Sequence, residues 1–323
     1  MSDRLEDFSL SRTVNSKKTL QKVGIVGCGA MGQEIAILVS QSGIEVAFVD
    51  VSQERLEEVF NRLNRLLDAR INKWGLTNTE KKLILSRIKG SVDYKSISDC
   101  DIVLETVNTK KKGTSLDLRQ QIFKNIEEAV PIETVIASNT ATLMISEIAS
   151  VLKNPERAIG LHFFGSVNKV KIIETVRSVY TNDKTVELIS KFGMMIGKKL
   201  VHVNESSGNV STRMLVPIIN EACEILMEGV ATVSDIDEIM RETSGLQNGP
   251  FEMCDIIGLD KVLKWMENLY LEFGEQKYKP SPIIKRLVRA NMVGRRTGEG
   301  FYKYIDDKKT SKKGPIHKLG REQ

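Results

Sequence analysis

Residues 22–36 read KVGIVGCGAMGQEIA. A short β-branched run, KVGIV (22–26), meets Gly27-x-Gly29-x-x-Gly32, and a helix-like run follows. Nothing else in the chain restricts its fold as tightly. Gly27 permits a tight turn, Gly29 lets the backbone approach a pyrophosphate, and Gly32 lets the helix pack close to the strand. The start of that helix would present free N–H groups and a positive dipole end to phosphates. The glycines alone are a weak signal. Asp50, closing the next strand run EVAFVD (45–50), sharpens it. Its carboxylate can accept both hydroxyls of an adenosine ribose and would repel a 2′-phosphate, so NAD is expected over NADP. The expected cofactor-binding residues are Gly27, Gly29, Ala30, Met31, Gly32 and Asp50. A glycine-rich turn that binds nothing is the bland reading, and strand, glycines, helix and Asp50 together weigh against it.

Further β-branched runs recur at DIVLET (101–106), TVIAS (134–138), AIGLHFF (158–164), VKIIET (170–175) and KLVHV (199–203). Helix-like stretches lie between most of them, including 53–75 and 115–130. Strands alternating with helices predict a largely parallel sheet covered on both faces. After about residue 205 the strand runs cease. Residues 214–229 carry an apolar stripe at helical spacing, TVSDIDEIMRE (232–242) opens with a Thr-x-x-Asp start signal, and 259–274 reads as a third helix. The expected class is therefore α/β: an N-terminal Rossmann domain followed by an all-α domain. The expected boundaries are a flexible extension at 1–20, the Rossmann domain at 21–205, the helical domain at 206–304 and a basic tail at 305–323.

Composition narrows the setting. The chain is 41% hydrophobic and 28% charged, which suits an ordinary globular protein with a sizeable core. No apolar run approaches the roughly 20 residues of a membrane span, and the polar N-terminus has no signal-peptide core. Its four cysteines form no CxxC pair, so a reduced, cytoplasmic compartment and no metal site are expected. The net charge of +5 sits largely in the segment 306–323. With no aromatic residue among those charges, a solvated tail is expected rather than a nucleic-acid site.

Several stretches then point one way. SNTATL (138–143), GLHFF (160–164) with IIETV (172–176), SGNVSTRMLVPIINEA (207–222), NGPFEMCDIIGLD (248–260) and GRRTGEGFYKY (294–304) stand in this order. Together they resemble the L-3-hydroxyacyl-CoA dehydrogenases over roughly residues 21–304. The resemblance implies an NAD-binding Rossmann domain, a helical domain that makes a homodimer, and oxidation of a 3-hydroxyacyl thioester to the 3-keto form. In that chemistry a histidine acts as general base while hydride passes to NAD, and a carboxylate holds the histidine. His162 and Glu174 match those two residues. A core histidine capping a strand is the plain alternative for His162, and Glu174 at the matching spacing weighs against it. An alcohol gives up hydride readily only as its proton leaves, so a base must stand by the hydroxyl.

Other positions depart from the family. Its serine, fourth in SNTSS, is Ala141 here, and its asparagine in PGFxxNR is Thr212. HFFNP becomes HFFGS (162–166), and a second glutamate is missing, with Thr109 in its region and inserted residues KKKGT (110–114) beside it. Arg119 aligns with a family lysine near the cofactor. Asn139 and Thr212 complete the expected catalytic set with His162 and Glu174. Two readings fit the departures: an enzyme with a changed substrate, or a catalytically impaired NAD-binding sensor or scaffold. Losing one positioning hydrogen bond costs about 1–3 kcal/mol, whereas losing a general base costs roughly two to four decades of rate. Since the base is retained, the enzyme reading leads. The acyl group would ride on CoA or on an acyl-carrier protein and would be short and polar. Arg62, Arg65, Arg70 and Lys73, with Lys110, Lys111 and Lys112, would suit either anionic carrier. A solvated basic face explains the same residues.

Overall fold

The computed structural model describes residues 20–73, 75–108, 115–305 and 308–310. The first part alternates strands and helices: β1 (Lys22–Val26), α1 (Ala30–Gln41), β2 (Glu45–Val49), α2 (Gln53–Ile71), α3 (Asn78–Ser86), β3 (Ile88–Ser91), β4 (Ile102–Glu105), α4 (Leu116–Ala129) and β5 (Val135–Ser138). It continues through α5 (Ile145–Ala149), β6 (Ala158–His162), β7 (Ile172–Arg177), α6 (Asp183–Met195) and β8 (Lys199–Asn204). The strands form one eight-stranded sheet in the order β3-β2-β1-β4-β5-β6-β7-β8. Every neighbouring pair is parallel except β6 and β7. The order reverses between β1 and β4, which opens a crevice at the carboxyl ends of those strands.

Alternation along the strands distributes the core over both faces. Val23 and Ile25, Ile102 and Leu104, Ile159 and Leu161, and Ile173 pack on one side with α1 and α6. Val26, Val103, Ile136, Ala158 and Val176 pack on the other with α4 and α5. One strand of the large sheet was not announced by an apolar run. β3 buries one apolar side chain, Ile88, and exists because it pairs with β2. The helix α3 does carry a local signal, a capping box between Thr77 and Glu80.

The second part contains α7 (Ser211–Met227), α8 (Val233–Ser244), α9 (Pro250–Ile257), α10 (Leu259–Phe273) and α11 (Pro282–Arg289) around a core of its own. The Thr232 start signal is realised as a capping box with Asp235, and α10 ends at Gly274 in the left-handed conformation. A small antiparallel hairpin, β9 (Lys303–Ile305) and β10 (Lys308–Thr310), closes this part and extends into residues read as tail. Two buried carboxylates explain its signature stretches. Asp237 accepts from the Phe251 and Glu252 N–H groups and from the Tyr302 hydroxyl, at 2.8, 2.9 and 2.8 Å. Asp255 accepts from the Phe301 and Tyr302 N–H groups and the Tyr304 hydroxyl, each at 2.9 Å. NGPFEMCD and GEGFYKY are thus two halves of one hydrogen-bonded joint. Among the described residues no helix is long and apolar enough to cross a membrane.

Candidate active site

The glycine fingerprint lies at the end of β1, beside the crevice. Gly27 has φ +83, and a Cβ there would come within 2.4 Å of Val107. A Cβ on Gly32 would meet the Thr106 hydroxyl at 2.7 Å, so the helix reaches this close to β4 only as glycine. Gly29 is different: nothing lies within 4 Å of the position a Cβ would take, so the backbone there faces open space. Helix α1 starts at Ala30, with Met31 and Gly32 in its first turn, and has no side-chain cap. Its leading N–H groups are thus available to an anion. Asp50 follows β2 and accepts from Cys28 N–H at 3.1 Å and Val51 N–H at 2.9 Å. Burial and the Asp50 carboxylate push the Cys28 thiol far above its ordinary range, so it is a neutral packing residue. A glycine turn with an open face, an uncapped helix start and a carboxylate at the next strand end fit a dinucleotide.

His162 ends β6, and its register partner on β7 is Glu174. Opposed residues of an antiparallel pair share a face, so the reversal at β7 is what brings them together. His162 Nδ1 lies 2.8 Å from Glu174 Oε2, and the residues are 6% and 4% exposed. Burial pushes the Glu174 carboxyl up, but the hydrogen bonds from His162 and Ser211 and the charge of His162 outweigh it and hold the group below its usual range. Ser211, the first residue of α7, donates to this carboxylate from its N–H and its hydroxyl, both at 2.9 Å. Nothing in SGNVSTR distinguished Ser211, because its target is 37 residues away and is set by packing.

The loop after β5 faces this pair. Asn139 accepts from the Phe163 N–H at 2.8 Å, fixing the backbone just beyond His162. Ala141 is half-buried. Thr142 is held from the helical part, where Asn268 on α10 donates to its hydroxyl at 2.8 Å and Ser207 donates to its carbonyl at 2.7 Å. Thr212 is 2% exposed, on the first turn of α7, and its hydroxyl makes no hydrogen bond among the described residues. Beneath the loop, the fully buried Glu105 pairs with Arg119 and accepts from Ser138 at 2.6 Å and Val107 N–H at 2.6 Å. Arg119 also donates to the Val107 carbonyl at 2.9 Å. Its guanidinium is therefore committed to protein partners as a strut under the loop. Thr109 and the insertion 110–114 lie outside the described residues. On α2, Arg62 and Arg65 are exposed, as is Lys73 just beyond it, whereas the half-buried Arg70 donates to Gln41 at 3.1 Å.

A largely parallel sheet with an open glycine turn at its switch point, and a carboxylate-backed histidine three strands further along, defines a nicotinamide-nucleotide oxidoreductase. Comparison with known proteins narrows this. The family described as 3-hydroxyacyl-CoA dehydrogenase, NAD binding domain, matches residues 22–206, and its C-terminal domain matches residues 208–304. A probable 3-hydroxybutyryl-CoA dehydrogenase of Deinococcus radiodurans is 35% identical over 283 residues, which cover 88% of this chain and 100% of that protein. The crystal structure of (S)-3-hydroxybutyryl-CoA dehydrogenase from Ralstonia eutropha is 37% identical with a TM-score of 0.79, covering 89% of this chain and 100% of that one. The crystal structure of Mycobacterium tuberculosis FadB2 is 30% identical with a TM-score of 0.85, covering 89% and 100%. The chain belongs to the 3-hydroxyacyl-CoA dehydrogenase family, and NAD is its cofactor.

Proposed function

We propose that this NAD-dependent dehydrogenase oxidises the 3-hydroxyl of an acyl-CoA thioester with His162 as general base and Glu174 as the carboxylate behind it. The observation that carries the reading is the buried 2.8 Å contact between His162 Nδ1 and Glu174 Oε2. A carboxylate only accepts, so Nδ1 carries the proton and Nε2 is left to take the proton of a substrate hydroxyl. As that proton arrives, Glu174 stabilises the imidazolium; in the reverse direction the same imidazolium returns it to the 3-keto oxygen. NAD, when bound, supplies the hydride acceptor; Gly27, Gly29, Ala30, Met31 and Gly32 would hold its pyrophosphate and Asp50 its ribose. Asn139 keeps the backbone after His162 in place. Thr212 follows Ser211 on α7, and Ala141 leaves room that a polar acyl substituent can fill.

The relatives named above support a CoA thioester as substrate. An acyl-carrier protein bearing a short polar acyl group is the finer alternative carrier, supported by the exposed Arg62, Arg65 and Lys73. A homodimer through the helical part is supported by a groove of about 950 Å³ lined by Pro217, Ile218, Ile225, Met227, Met240 and Pro280. All four cysteines are free, which supports a cytoplasmic setting. The test is NADH absorbance with purified protein, NAD and a panel of 3-hydroxyacyl thioesters on CoA and on carrier protein. Turnover on CoA thioesters is expected; no turnover on any thioester would overturn the reading. Calorimetry should give NAD much tighter than NADP, and equal affinities would remove the role assigned to Asp50.

A further inference from the structure

Helix α7 begins without a cap of its own. Its N-cap residue is Val210, which makes no side-chain hydrogen bond, and Asn209 before it is held at φ 47. The first N–H groups of a helix need acceptors from elsewhere. Here one comes from the sheet: Glu174 Oε1 accepts from Ser211 N–H. Glu174 Oε2 accepts from the Ser211 hydroxyl while facing His162 Nδ1. One carboxylate thus caps the first helix of the C-terminal part and backs the histidine.

The geometry points to Ser211 as a positioning residue: through it, the C-terminal part holds the Glu174 carboxylate aimed at His162, so the base is complete only when α7 is seated on the sheet. This rests on the reading of His162 and Glu174 as the working pair. Hydrogen bonds to a carboxylate and the positive end of a helix both favour its charged form. From β6 the titratable group facing Glu174 is His162, and α7 contributes Ser211, which has no charge. Arg213, two residues on, turns instead to Ser206 and the Phe273 ring. The contacts of Asn268 and Ser207 with Thr142 hold the loop over the pair from the same side. Removing the Ser211 hydroxyl leaves Glu174 a less stabilised and more basic anion. It then holds the imidazolium harder.

The test is the pH profile of kcat for oxidation of 3-hydroxybutyryl-CoA by the full chain, across the range of imidazole titration. Ser211→Ala should lower kcat about tenfold and move the acid limb up by roughly half a pH unit, with NADH affinity unchanged. Ser211→Thr, which keeps the hydroxyl, should restore most of both. A wild-type rate and limb in Ser211→Ala overturns the proposal. So does an equal loss in both variants with an unmoved limb, which is what a merely structural role gives. If Ser211→Ala does not fold, Ser211→Cys, a weaker donor, must show the shifted limb, and an unshifted one overturns the proposal. His162→Ala separates the two readings: turnover retained there overturns the working pair itself, whatever the Ser211 variants do.

Discussion

Glu174 and Asp255 are both buried carboxylates with three hydrogen-bond donors each, yet the protein moves them in opposite directions. Glu174 faces His162 and the Ser211 N–H and hydroxyl, and lies below the usual range. Asp255 faces two N–H groups and a tyrosine hydroxyl, and burial, with the Asp237 carboxylate adding to it, pushes it up to about 6. The number of donors does not decide the outcome. Glu174 has a partner that can become a cation, and Asp255 has a second anion for a neighbour. The first arrangement can take part in proton transfer; the second joins two stretches of backbone.

The comparison breaks most visibly in kinetics. His162→Ala should lower kcat by about two to four decades with NADH affinity unchanged, read from steady-state NADH formation. Asp255→Ala should instead reduce stability by roughly 2–4 kcal/mol, because it strands the buried Phe301 and Tyr302 N–H groups. Denaturant unfolding measures that loss, and activity per folded molecule should stay at the wild-type level.

Smaller effects sharpen the contrast. Asp255 has its folded pKa above its ordinary value, so the stability it contributes is full below about pH 4 and lost as pH rises through about 6, on the order of 2–3 kcal/mol. Glu174 has its folded pKa depressed, so its contribution is present above about pH 4.3 and lost as pH falls through the lower folded value. Melting temperature against pH for Glu174→Gln and Asp255→Asn, each referred to wild type, should therefore give slopes of opposite sign. Least of all, Ala141→Ser should raise kcat/KM on 3-hydroxybutyryl-CoA by up to about tenfold. It adds a hydroxyl to the loop after β5 and leaves the Asp255 joint untouched, and steady-state NADH formation measures the gain.

Seven of the eight sheet strands were legible as β-branched runs: β1, β2, β4, β5 and β6 because a strand buried on both faces is apolar along its length, and the exposed edge strand β8 through its two valines alone. β3 was not, since Ile88 is its one buried apolar residue. The pairing of His162 with Glu174 came from family resemblance, but its physical cause is the antiparallel register of β6 and β7, which no local pattern encodes. The asparagine of SNTATL was legible as a site residue, but its observed contact, to Phe163 N–H, depends on two strand ends meeting. Arg119 was aligned with a family lysine, and its observed partner, Glu105, comes from another strand end.

By itself the sequence determined the features that short stretches of chain decide. These are the turn at Gly27, the start of α1, the strand periodicity, the Thr232 cap and the stop at Gly274, each a matter of backbone geometry within a few residues. It also determined the change at Ala141, which is simply a missing hydroxyl. The tertiary structure alone decided what completes the site. Ser211 reaches Glu174, Asn268 reaches Thr142 and Glu105 is buried against Arg119. Those contacts join segments far apart in the chain, and their partners are chosen by strand register and by the packing of helices against the sheet.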